Sequence, residues 1–206
     1  SRVIFGSAPK TGKTFTALRT AKGICGDKPF AVIDTEAGRA KHYADLFKFD
    51  HGDLKPPFRP DAYADAIKAA DDAGYKAVIV DSCSHEWAGE GGILEWQEEE
   101  LSASVARAME KKQGGNEWTL RETYKMSSWI KPKTAHKHMI QRLLQVRANI
   151  ILCFRAEEKI KMEKDENGKM KIIPMGFQPI CSKELPYELT VSFLLTPDKP
   201  GIPQPI

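Results

Sequence analysis

Apolar residues along this chain gather into short unbroken runs, and between the runs they recur at helical spacing. Val3-Ile4-Phe5, Phe30-Ala31-Val32-Ile33, Ala77-Val78-Ile79-Val80 and Ile150-Ile151-Leu152-Cys153-Phe154 are the runs. A strand covered on both faces shows such continuity, whereas a half-exposed strand alternates. From Lys13 to Lys22, Phe15, Leu18 and Ala21 share one helical face, and Gly23 is placed to close the helix. Arg39 to Phe47 resumes a helical pattern with Tyr43, Leu46 and Phe47 inward. Asp61 can cap a helix through Ala73 that Gly74 ends, and Ile93 to Lys112 is a long helical stretch. An irregular segment including Gln113-Gly114-Gly115-Asn116 then reaches Pro132, and another helix runs through Val146. Strand and helix in alternation predict an α/β fold, a mostly parallel sheet flanked by helices.

The pattern changes toward the end. Ile160 and Met162 alternate with charges before Asn167-Gly168, and Met170 and Ile172 alternate after it, which predicts a C-terminal β-hairpin extension. Leu189 to Leu194 makes one more strand, and the stretch from Thr196 to Pro205 holds four prolines without periodicity. The expected organisation is one globular domain over residues 1–196 and a Pro-rich extended tail over 197–206. Composition adds exclusions. No apolar run approaches the roughly 20 residues of a membrane span. A net charge of +3 is too small to imply nucleic-acid binding unless it is clustered. Cys25, Cys83, Cys153 and Cys181 form no CxxC pair, which favours reduced thiols and a cytoplasmic setting.

The candidate chemistry begins where the first strand meets the first helix, at Gly6-Ser7-Ala8-Pro9-Lys10-Thr11-Gly12-Lys13-Thr14. Backbone N–H groups of such a loop, with the N-terminus of the helix behind it, surround phosphate oxygens. Lys13 is expected to neutralise the β- and γ-phosphates, Thr14 to give its hydroxyl to Mg²⁺, and Gly12 to allow close backbone approach. Five residues, Ser7 to Thr11, separate the glycines instead of the usual four, so Ser7 takes the place of the first glycine. Pro9 lacks an N–H and donates nothing, which leaves the amides from Thr11 to Phe15 as the cradle; Ser7, Ala8, Pro9 and Lys10 complete the loop. ATP with Mg²⁺ is the expected ligand. Asp81, ending Val78-Ile79-Val80, is expected to hold Mg²⁺ through a water. Hydrolysis also needs a group to orient or deprotonate water, and Glu36 and Glu86 compete for it. Glu36 is preferred because it ends the second strand in Ile33-Asp34-Thr35-Glu36, whereas Glu86 lies five residues past Asp81 in a loop.

A Gly-Lys-Thr loop, a strand ending in Asp-Thr-Glu and a Val-Ile-Val-Asp-Ser strand, at these separations, together resemble the RecA family of P-loop ATPases. The resemblance implies a RecA-like P-loop NTPase core and places the water-activating base at Glu36. The stretch from Asp81 to Gly92, with Pro186-Tyr187-Glu188-Leu189-Thr190-Val191-Ser192, is similar to bacteriophage RecA-like ATPases of the recombination and single-strand annealing group, over nearly the whole chain. That implies an ATPase acting on single-stranded DNA in the host cytoplasm, in a homo-oligomer with nucleotide near subunit interfaces and with a single-strand binding protein as a further partner. Arg155 matches the position where RecA-like proteins place an amide that senses the γ-phosphate. An arginine there stabilises transition-state charge, contacts DNA, or simply pairs with Glu157 or Glu158. Lys169 and Lys171 are similar in placement to the lysines RecA subunits offer to a neighbour's nucleotide, or are the solvated face of the hairpin.

Single-strand binders interleave cations with stacking rings, as do Trp118, Arg121, Tyr124, Lys125, Trp129, Lys131 and Lys133. Trp118 and Trp129 serve equally well as core anchors. His136 and His138 face different directions on a helix, and His85-Glu86 lacks a second histidine, so no intrinsic metal site is expected. Two other classes fit a P-loop: a small-molecule kinase, whose lid needs several phosphate-facing arginines, and an ATP-gated interaction module that hydrolyses little. The sequence disfavours the kinase more.

Overall fold

The unbroken apolar runs form the middle of a parallel sheet. In the computed structural model, which describes residues 2–8, 10–111, 116–164, 166 and 168–205, strands β1 (Arg2–Ser7), β2 (Phe30–Asp34), β3 (Phe49–Asp53), β4 (Ala77–Asp81), β5 (Asn149–Lys164), β6 (Met170–Pro179), β7 (Val191–Leu195) and β8 (Gln204–Pro205) make one eight-stranded sheet. Its order is β3-β2-β4-β5-β1-β7-β8, with β6 paired to β5 alone. All pairings are parallel except β5 with β6 and β7 with β8. Every residue of β2 and β4 is buried, as unbroken apolar runs require. Pro9, Asn167 and residues 112–115, which figure in the expectations above, lie outside the described residues.

Helix α1 (Lys13–Cys25) covers this sheet with Ala17, Leu18 and Ala21. They pack in one core with Phe5, Ile79 and Ile151, all at most 2% exposed. The helix does not stop at Gly23. It runs to Cys25, and Gly26 follows it with a φ of 63°, a value that favours glycine, its N–H donating to Lys22 O at 2.8 Å. Arg39 to Phe47 is only a 3₁₀ turn, Arg39–Tyr43. β3 follows it, an edge strand that the sequence pattern did not announce.

By its contacts the chain falls into two units: Ser1–Asp53, Ala70–Ser84 and Arg147–Ile206, which hold the sheet, and Leu54–Ala69 with His85–Val146. Helices α2 (Pro60–Asp72) and α3 (Ser84–Ala88) begin the second set of elements. Helices α4 (Ile93–Glu110), α5 (Glu117–Tyr124) and α6 (Ile130–Gln145) are helical within the second unit. Leu101, Val105, Ala108 and Leu120 form its apolar cluster, with Tyr124 against it. Much of the segment expected to be irregular up to Pro132 is therefore helical. Asn116 caps α5 by accepting from Thr119 N, and Pro132 lies in the first turn of α6, where no N–H is required.

β5 does not end at Phe154 but runs on to Lys164, 16 residues in all, and its second half forms the hairpin with β6. The proline-rich segment turns back: β8 pairs with β7, and Gly201 N–H donates to Thr11 O at 2.8 Å. No described helix is long and apolar enough to cross a membrane, and no disulfide joins the four cysteines.

Candidate active site

The parallel register brings the carboxyl ends of four strands level. Ser7 on β1 pairs with Arg155 on β5, Cys153 on β5 with Asp81 on β4, and Asp81 with Asp34 on β2. β5 thus separates the phosphate-loop strand from the strand that ends in Asp81. Ligands of open α/β sheets bind beyond this edge. A cavity of about 730 Å³ lies here, within the range of small-molecule sites, about 300–1,000 Å³. Its lining includes Ser7, Ala8, Lys10, Thr11, Gly12, Lys13, Thr14, Glu36 and Arg155.

The loop's shape comes from left-handed backbone at Lys10, φ 63°, and Gly12, φ 87°. A Cβ on Gly12 would stand 3.4 Å from the backbone of Gly201, so the loop and the C-terminal segment approach closely there. Thr11 is buried, and its hydroxyl donates to Ala8 O at 2.9 Å. α1 starts at Lys13 with no side-chain cap, and its first helical bond is Thr16 N to Gly12 O. Helix geometry gives the N–H groups of Lys13, Thr14 and Phe15 no intrahelical acceptor, which is what an anion site uses. Phe15 offers only its backbone, since its ring packs against Tyr43 and Phe47.

Under the loop, Lys13 Nζ forms an ion pair with Asp81 Oδ1, and Thr14 Oγ1 donates to Asp81 Oδ2 at 2.5 Å. Burial works to lower the Lys13 pKa, but the Asp81 carboxylate prevails and holds it above its ordinary value. A hydroxyl and a carboxylate side by side suit Mg²⁺, which binds through one or two carboxylates plus substrate phosphates rather than an all-protein cage. No cluster of three His, Cys, Asp or Glu able to hold a metal occurs among the described residues. Cys153, buried between these groups, has its thiol pKa raised well above normal by burial.

Glu36 lies across the cavity, and its side chain is 3% exposed. Arg155 Nε and Nη2 reach its Oε1 at 3.1 and 3.0 Å, and Arg39 Nη1 reaches Oε2 at 2.6 Å. Arg155 therefore takes Glu36 as its partner rather than Glu157 or Glu158. Burial pushes the Glu36 carboxyl up, but Lys13, Arg155 and Arg39 together hold it below the usual carboxylate range. Glu86 sits on α3, buried, with His136 Nδ1 2.8 Å from its Oε1.

Sequence reasoning missed Arg39 and Asp34. Arg39 follows Glu36 by three residues, a spacing that could have marked it. Asp34 is buried and anchors the loop carrying Glu36, accepting from Glu36 N at 2.6 Å and Ala40 N at 3.2 Å, with His51 Nε2 also at 3.2 Å. Burial raises its pKa, and these hydrogen bonds more than offset that, so the carboxyl is held below its ordinary value of 3.8. Because the folded value lies below the unfolded one, the stabilisation is complete above the unfolded pKa and is lost as pH falls through the folded pKa. Asp34→Asn should cost about 2 kcal/mol at pH 7. Urea melts should show that gap narrowing as the pH falls below 3.8. An equal gap at every pH would mean that Asp34 contributes shape and not charge.

A strand, a glycine-containing loop and a helix opening on Gly12-Lys13-Thr14, with an aspartate held beside that lysine and threonine, define a P-loop NTPase of α/β fold. The AAA domain family matches residues 1–194, and the chain belongs to that family. It is a nucleotide-binding P-loop ATPase of the AAA type, a group that generally uses ATP and Mg²⁺. None of the curated proteins compared with the chain matches it.

Proposed function

We propose that the chain binds ATP with Mg²⁺ on the loop from Gly6 to Thr14 and hydrolyses it to ADP and phosphate. The observation that carries this reading is the convergence of Lys13 and Thr14 on Asp81 in the cavity that Glu36 also lines. Lys13 and the amides of the first turn of α1 hold the phosphates, Thr14 and Asp81 hold the cation, and Glu36 orients the attacking water. Arg155 supplies positive charge where the transferred phosphoryl group becomes more anionic. Bound Mg²⁺ would neutralise phosphate charge and fix the phosphate oxygens.

The finer reading is a phage RecA-like protein whose hydrolysis acts on single-stranded DNA in recombination or annealing. Its support is the motif resemblance, together with Trp118, which is 71% exposed. The rest of the aromatic-basic segment is largely engaged. Arg121 pairs with Glu98, Lys125 with Glu122 and Lys131 with Glu100, while Trp129 stacks on Trp87. A second reading, an ATP-gated interaction module with little turnover, draws support from the pairing of Glu36 with both arginines.

ATP hydrolysis measured with and without single-stranded DNA across a salt series separates the two. The recombination reading expects stimulation by DNA that fades as salt rises, because phosphate contacts release counterions. Unchanged hydrolysis with DNA at low salt would remove it. Binding without turnover in either condition would favour the gated module.

A further inference from the structure

Beyond Ala156, β5 pairs with β6 alone, as a two-stranded ribbon. Its faces differ. Glu157 pairs with Lys159 at 3.3 Å and Lys161 pairs with Glu163, so the odd-numbered face of β5 carries neutralised ions. The even-numbered face carries Glu158, Ile160, Met162 and Lys164, and the register sets Pro174, Ile172 and Met170 beside the last three. Ile160, Met162, Met170 and Ile172 are each more than half exposed. A lone two-stranded ribbon is marginally stable in water, and adjacent exposed apolar side chains mark a surface that is covered in use.

The order of charges identifies the cover. Along β5 the face reads acid, apolar, apolar, base from Glu158 to Lys164, over about 20 Å at the rise of a strand. Reversing the strand about Lys161 exchanges Glu158 with Lys164 and Ile160 with Met162, so the face is complementary to itself. A two-fold axis across the ribbon stacks β5 antiparallel on the β5 of a second copy. Each Glu158 then meets the partner's Lys164, and each Ile160 meets the partner's Met162. Face-to-face strands lie about 10 Å apart, a spacing that interdigitating Ile and Met side chains fill.

We propose that this face of the hairpin is a homodimer interface whose occupant is a second copy of the same chain. Symmetry gives two Glu158–Lys164 pairs per dimer at the rim of an apolar centre, the usual anatomy of an interface. The proposal uses none of the nucleotide-site residues, so it stands or falls separately from the ATPase reading.

Sedimentation velocity of the full chain over a concentration series, without nucleotide, tests it. The wild type should show a monomer–dimer equilibrium that Ile160→Asp abolishes. Glu158→Lys and Lys164→Glu should each weaken the dimer at least about tenfold by setting like charges together. The double variant Glu158→Lys/Lys164→Glu should recover the wild-type dissociation constant, because the swap rebuilds both pairs. Since all these positions are exposed on the ribbon, each variant should keep the wild-type urea midpoint at low protein concentration. A monomer at every concentration, a dimer indifferent to Ile160→Asp, or a double variant no better than either single one would overturn the proposal. So would a monomeric wild type that sediments with neutral phosphatidylcholine vesicles through the same apolar side chains.

Discussion

Lys13→Ala is expected to lower ATP affinity by at least about a hundredfold, the cost of truncating one partner of a buried charged contact. The residue has two roles that this substitution removes together. Facing the cavity, its ammonium is the cation proposed to bind the phosphates. Facing the sheet, it neutralises Asp81, whose side chain is 3% exposed. Loss of the cation leaves that carboxylate buried with only the Thr14 hydroxyl, which should cost about 3 kcal/mol of stability. Because the Lys13 pKa is raised in the folded protein, the pairing contributes fully below pH 10.5 and is lost only as pH rises through the raised value. Calorimetric titration with ATP, alongside a thermal melt to confirm folding, reads both effects. Unchanged nucleotide affinity in a folded variant would remove the phosphate-loop assignment.

The part of this site legible in the sequence is the part that local chemistry dictates. β1, β2, β4 and the first half of β5 are buried on both faces, so their apolar runs had no alternative environment, and the loop's Gly-Lys-Thr follows from what a phosphate demands. The missed elements answer to tertiary context. β3, Phe49-Asp50-His51-Gly52-Asp53, is an edge strand whose exposed positions tolerate residues that strand propensity disfavours, and it is held by pairing with β2. The hairpin half of β5 alternates while its sheet half does not, because one half is covered on two faces and the other is not. The Arg155–Glu36 contact joins residues 119 apart, a distance over which no periodicity speaks. Gly23 did not stop the helix, because Cys25 two residues on packs in the sheet core and Gly26 supplies the positive φ beyond it.

Glu36→Gln should leave ATP binding no weaker than in the wild type and reduce turnover by about 10²–10⁴-fold, the range for removing a positioned base. The affinity half of this follows from the two arginines. In the wild type, Arg155 and Arg39 are held by the Glu36 carboxylate. An amide of the same shape gives up most of that attraction, so both guanidiniums become more available to an anionic ligand. The turnover half follows from the carboxylate's low pKa. Lys13, Arg155 and Arg39 keep Glu36 ionised through the neutral range, so it is a weak base and a strong acceptor, suited to aligning a water whose proton leaves late. Two consequences can be measured on the same preparations. The acid limb of kcat/KM in the wild type should lie below the ordinary glutamate value of 4.5. Single-turnover hydrolysis should be slow in Glu36→Gln while a fluorescent ATP analogue binds normally. Undiminished hydrolysis would pass the role to Glu86 or another group, and for Glu86 the buried contact with His136 would then have to open.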